Sequence, residues 1–166
     1  MRRRVGPRYA LVSLGTVFAV QGILMWIVSL PVQLGQVAGP AVGPLAWVGV
    51  VVWAVGLFFE AVGDIELARF KSDPGNAGAV MDQGLWRYTR HPNYFGDTLL
   101  WWGIALVAAE TSAGRWGLLG AAVMTFLLRR VSGVTLLEKS LVNRRAGYDD
   151  YVRRTSPFVP RPPRRR

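Results

Sequence analysis

Between Gly84 and Asp97 the chain gathers two arginines, its only histidine, two tyrosines, an asparagine and an aspartate into fourteen residues. Apolar runs of membrane-spanning character flank this stretch on both sides. Polar and ionisable groups are expensive near membrane depth, so a cluster of them there is read first as a binding site. Donors outnumber acceptors, which suits a polar, anionic ligand. Within the stretch, Tyr88 precedes the run Arg90-His91-Pro92-Asn93-Tyr94, which opens an apolar segment. Pro92 suits a first helical turn, where its missing N–H loses nothing. Asn93 and the helix N-terminus offer donors to an anion. Asp97 follows Asn93 by one turn and Trp101 follows Asp97 by one turn, so a polar stripe runs into an aromatic one. His91 is open to two readings, a structural histidine or a ligand contact.

Two further groups carry chemistry. Glu60 and Asp64 are four apart and share a helix face, with Lys71 two turns beyond. Two like charges at a membrane edge call for a compensating donor, either a cation or the hydroxyls and amide of a ligand. A solvated interfacial cap that includes Glu66 accounts for them as well. Near the C-terminus, Glu138, Arg145, Tyr148 and Tyr151 fall on an amphipathic segment, and Glu138 and Arg145, seven apart, share a face. An interfacial helix with snorkelling arginines gives the same pattern.

Composition narrows the field. The chain has no cysteine, which removes disulfides, thiolate metal sites and a cysteine nucleophile. A single histidine leaves zinc or haem without a ligand set. The dinucleotide-binding glycine fingerprint, the P-loop and the nucleophile elbow are all missing from the sequence. The formal charge is +10. Such a surplus fits nucleic acid, anionic lipid or an anionic cofactor. The apolar runs select the membrane readings, and no nucleic-acid partner is expected.

The elements that must position these residues are apolar. Half of the residues are hydrophobic, in long uncharged runs. Four spans are expected, over about 9–32, 41–59 (continuing as polar helix to 70), 94–109 and 116–128. Basic residues crowd the segment before the first span, the loop after the second and the part after the fourth, while the other two loops are nearly uncharged. That alternation puts both termini and the motif loop in the cytoplasm of a multi-pass inner-membrane protein. The N-terminal Arg2-Arg3-Arg4 and its apolar run read as an uncleaved span, not a signal peptide. The expected architecture is an all-α, polytopic helical bundle: a single membrane domain over 1–160 with a C-terminal interfacial helix, then a basic disordered tail over 161–166 on anionic headgroups.

The run Gly84 to Asp97, followed by Trp101-Trp102-Gly103, resembles a bacterial membrane family long described as of unknown function and grouped with steroid 5-alpha-reductases. The ending, with Leu137-Glu138-Lys139, Arg145, Gly147-Tyr148, Tyr151 and Thr155 to Pro160, resembles that family too. The wider group includes sterol C14 and C7 reductases. The resemblance implies a cytoplasmic NADPH pocket and reduction of a carbon–carbon double bond in a lipid. Glu60, Asp64, Lys71, Tyr88, Arg90, His91, Asn93, Tyr94, Asp97, Glu138 and Arg145 would line that pocket, with the cations toward phosphates. The Arg-His-Pro-x-Tyr run and a later glutamate are also similar to isoprenylcysteine carboxyl methyltransferases, which bind S-adenosylmethionine. The spacing of Glu60, Asp64 and Lys71, the Asn93/Asp97 pair and the number of cations incline the expectation to NADPH. A third reading is a non-catalytic membrane subunit or truncated fragment. The resemblance also implies preceding helices that would carry the substrate half, supplied by a partner if not by this chain. No catalytic residue is assigned.

Overall fold

The computed structural model describes residues 12–36, 42–131 and 147–164. The described part is helical and carries no strand; a lone parallel bridge joins Thr89 to Ser156. In chain order the α-helices are α1 (Val20–Val28), α2 (Leu30–Gly35), α3 (Pro44–Ser72), α4 (Pro92–Ala108), α5 (Gly117–Phe126) and α6 (Tyr148–Arg154).

The long helix organises the rest. α3 starts with Pro44 in its first turn and runs apolar to Phe59 before turning polar. Its 29 residues extend about 44 Å at the usual helical rise. Among the described residues this helix alone is long and apolar enough to cross a membrane. Much of its surface faces outward, with Trp47, Val51 and Phe58 all more than half exposed. No side chain of its own caps its first turn. The Glu110 carboxylate, from the turn after α4, accepts the Ala46 N–H at 2.7 Å instead. That satisfies one of the free donors of the first turn and places a negative charge at the positive end of the helix.

α3 and α4 touch through glycine. Gly49, Gly56 and Gly63 recur every seven residues on α3, as do Gly96 and Gly103 on α4, and all five are buried. Seven residues return nearly to the same helix face. A Cβ on Gly56 would lie 2.6 Å from the Leu100 amide nitrogen, and one on Gly103 would lie 2.6 Å from Trp53 N. The two backbones therefore meet with no side chain between them, the mode by which helices associate in lipid.

The expected first span is broken. Residues 14–19 wind as π-helix and the α-helix resets at Ser29, just before Pro31. Proline removes a donor and crowds the preceding turn. The Trp26 carbonyl left at the break accepts from Ser29 Oγ at 2.9 Å and Gln33 Nε2 at 3.1 Å. Gly117 and Gly120 of α5 seat this kink, since a Cβ on either would come within 2.8 Å of the Pro31 region. The Trp102 indole donates to Thr125 Oγ1 at 3.0 Å and ties α4 to α5. α4 and α5 fall where the third and fourth spans were expected, at 17 and 10 residues, and α5 continues as π-helix over Leu127–Val131.

Gly56→Ala and Gly103→Ala should each lower stability by about 1–3 kcal/mol, as overpacked cores do. Gly22→Ala, with nothing within 4 Å of the new methyl, should be neutral. Thermal midpoints in detergent check this; equal midpoints for all three would contradict the close contact.

Candidate functional site

The motif loop is fixed to the polar C-terminal end of α3 before α4 begins. Leu85 N–H donates to Glu66 Oε2 at 2.9 Å, and the Trp86 indole donates to the Gly63 carbonyl at 3.0 Å. Gly84 has φ +53°, and a Cβ there would sit on the Glu66 carboxylate. Glycine is needed for both reasons. Glu66, which one of the two readings of these acids left as a solvated cap, is the anchor of this loop.

The other side of the loop is held by the C-terminal segment. Arg90 is 7% exposed, and its Nη1 donates to the carbonyls of Val152 at 2.8 Å and Thr155 at 2.9 Å. Its own amide donates to the Ser156 carbonyl at 2.9 Å. Thr89, fully buried, donates from Oγ1 to the Phe158 carbonyl at 2.8 Å. Tyr151 donates its hydroxyl to the Trp86 carbonyl at 2.6 Å. Burial raises the Tyr151 pKa well above the ordinary phenol value, so the hydroxyl stays a donor at every physiological pH. The Arg161 amide donates to the Tyr88 carbonyl and the Arg164 amide to the Arg154 carbonyl, each at 3.0 Å. These two amides belong to the stretch expected as a disordered tail. Arg90, expected to meet phosphate, thus acts as a strut between the motif and α6.

A cavity of about 360 Å³ lies between these parts. Leu67, Phe70 and Lys71 of α3 form one wall, Val80 and Met81 a second, and Trp86, Tyr148 and Tyr151 a third. Arg90, His91, Asn93 and Tyr94 close the end at the start of α4. His91 is 4% exposed and stacks on Tyr94, with ring centres 5.5 Å apart and planes 8° apart. Asn93 Nδ2 donates to Asp64 Oδ1 at 3.0 Å, while Asn93 Oδ1 is buried with no partner. That oxygen retains its capacity to accept a hydrogen bond.

Behind this end stand the acids. Asp64 and Asp97 both lie within electrostatic reach of Glu60, and both also reach Tyr94. Trp101 approaches the Asp97 carboxylate, as their one-turn spacing predicts. None of the three forms an ion pair among the described residues, and Glu60 Oε2 is buried without a partner. Uncompensated acids in such surroundings favour a cation or a set of donors.

Of the residues expected at the site, Lys71, Arg90, His91, Asn93 and Tyr94 line the cavity. Asp64, Glu60 and Asp97 adjoin its end through Asn93 and Tyr94. The Tyr88 side chain, 45% exposed, is not among the walls. Glu138 and Arg145 lie outside the described residues. Sequence reasoning missed the walls formed by Phe70, Val80, Met81 and Trp86. The Trp86 position, inside the motif itself, was the available signal.

With the geometry in place, comparison with known proteins assigns a family. The chain belongs to the family described as "Protein of unknown function (DUF1295)", whose model matches residues 1–155. A curated relative is the "Probable O-methyltransferase ustE" of Ustilaginoidea virens, 38% identical over 65 residues. That match covers 39% of this chain and 23% of the relative, so the chain spans about a quarter of the curated protein it matches. No solved structure matches.

Arg90→Lys should fail to replace arginine, because a single ammonium cannot reproduce the planar fork between two carbonyls. A loss of about 1.5–3 kcal/mol is expected for its charged hydrogen bonds. The readout is the thermal midpoint, and a wild-type midpoint for Arg90→Lys would remove the strut assignment.

Proposed function

We propose that this chain is the cofactor-binding part of a membrane-embedded methyltransferase that uses S-adenosylmethionine and acts on an oxygen of a lipid-soluble acceptor. The observation that carries the reading is the cavity's balance of groups. Its walls are largely aromatic, acids that form no ion pair among the described residues stand behind one end, and Arg90 is directed at main-chain carbonyls. S-adenosylmethionine, when bound, supplies a methyl group on a sulfonium cation. Aromatic faces attract cations, and Trp86, Tyr94, Tyr148 and Tyr151 provide them. Asn93 Oδ1 and the acids accept hydrogens from the cofactor's amino groups. Lys71, at the exposed rim, suits its carboxylate. The printed name of the relative, an O-methyltransferase, supports the same class.

NADPH-dependent reduction of a lipid double bond is the second reading. Lys71 on the wall and the Asp64–Asn93 pair favour it, since they match the reductase-like positions. It asks for several cations facing phosphates, and Arg90 holds carbonyls instead. Both readings place the protein as a multi-pass inner-membrane bundle with cytoplasmic termini, its acceptor entering from the bilayer. Both also admit a partner that supplies further helices for the acceptor.

Incubation with methyl-labelled S-adenosylmethionine and a membrane lipid extract should move label into the organic phase. Glu60→Gln and Asn93→Ala should each weaken cofactor binding about tenfold, equivalent to about 1.4 kcal/mol, while the protein stays folded. Label that stays in the aqueous phase while NADPH is oxidised by the same extract would sink the reading.

A further inference from the structure

The wall formed by Val80 and Met81 is attached differently from the others. Residues 80–82 make no main-chain hydrogen bond among the described residues, and Gln83 next to them caps the 3-10 turn Gly84–Arg87. The stretch is flanked by Gly78 at φ +79° and Gly84 at φ +53°, both in the left-handed region that favours glycine. Beyond Gly84 the chain is anchored at once by Glu66. On the other side, the turn is closed by Ala77 N–H donating to the Pro74 carbonyl at 3.2 Å and, across Gly78, by Ala79 N–H donating to the Asn76 carbonyl at 3.0 Å. Between these fixed points, Val80, Met81 and Asp82 are half-buried while Ala79 and Gln83 are exposed.

The polar attachment of this strap is Asp82. Its Oδ2 accepts from Arg154 Nη2 at 2.5 Å. Arg154 is oriented from behind by Asp150, whose Oδ2 lies 3.5 Å from its Nε. Its main-chain carbonyl accepts the Arg164 amide. Arg154 belongs to α6, the helix that also supplies Tyr148 and Tyr151 to the opposite wall.

We infer that Asp82 and Arg154 are positioning residues, whose ion pair draws the 80–82 strap across the cavity and sets how tightly the cavity retains its ligand. A partly exposed ion pair adds little to global stability. Local opening of a segment with no main-chain bonds has a far smaller free energy than global unfolding, so one pair decides it. The retention half of the inference rests on the cavity being the cofactor site; the strap half does not.

The absence of cysteine makes a direct test available. Met81→Cys, the one thiol in the detergent-purified protein, reports strap opening through its rate of reaction with a water-soluble maleimide. Adding Asp82→Asn or Arg154→Gln should raise that rate at least fivefold. Adding Asp82→Glu should leave it near the Met81→Cys rate. The exchange Asp82→Arg with Arg154→Asp should restore slow labelling, which separates a lost ion pair from a misfolded protein. Unchanged labelling in the single variants, or no restoration in the exchange, overturns the strap assignment. With cysteine omitted, Asp82→Asn should speed dissociation of bound S-adenosylmethionine by a similar factor. Fast labelling together with an unchanged dissociation rate would overturn the retention half alone. Failure of the wild type to bind S-adenosylmethionine would contradict the functional reading and leave the labelling result standing.

Discussion

The contact between α3 and α4 sets the geometry on which everything else rests. Because glycines face glycines, the two helix backbones approach without side chains between them. Backbone contact of this kind, with polar links beside it, holds helices together without interdigitating apolar side chains. The consequence reaches the site directly. The third glycine of the α3 stripe, Gly63, lies against Pro92 and Asn93, and its carbonyl receives the Trp86 indole. One heptad series thus packs the pair, admits the start of α4 and anchors the motif loop.

The second layer of organisation is the exchange of hydrogen bonds between the motif and the C-terminal segment. The arginine and threonine of Thr89-Arg90 point away from the solvent and into main-chain carbonyls 62 to 69 residues onward. The histidine, asparagine and tyrosine that follow face the cavity. The motif is thus two structures in one: a half that holds α6 in place, and a half that presents groups to a ligand. This division means that a charge count does not by itself give the number of cations offered to a ligand. A guanidinium that appears as a free cation in the sequence is bound to the fold.

Much of the helical layout was legible because apolar length and proline position are local signals. Pro44 and Pro92 open α3 and α4, and the polar continuation of α3 through Glu60 and Asp64 is visible in the sequence. The break at Ser29 was not read, because the apolar run continues through it and only Pro31 and Gln33 mark it. The glycine stripe was legible in principle from its seven-residue spacing, yet each glycine alone has no meaning until its partner helix is known. Helix periodicity set Glu60 with Asp64 on one face of α3 and Asn93 with Asp97 on one face of α4, and the Asn93–Asp64 hydrogen bond that joins the two faces came only with the structure. The role of Arg90 depended on contacts with residues far along the chain, which no local pattern encodes. The same holds for Val80 and Met81, which lie on the cavity wall beside the Asp82–Arg154 ion pair, 72 residues apart in the chain.

The central claim is that the cavity beside Asn93 and Tyr94 suits a compact cation-bearing cofactor better than a phosphate-rich one. Equilibrium titration of the detergent-purified protein with S-adenosylmethionine and with NADPH, read by tryptophan fluorescence, tests it most directly, since Trp86 lines the cavity. The account predicts saturable quenching by S-adenosylmethionine, with NADPH binding at least tenfold weaker. Tight, saturable binding of NADPH with no response to S-adenosylmethionine would contradict it and return the cavity to the reductase reading.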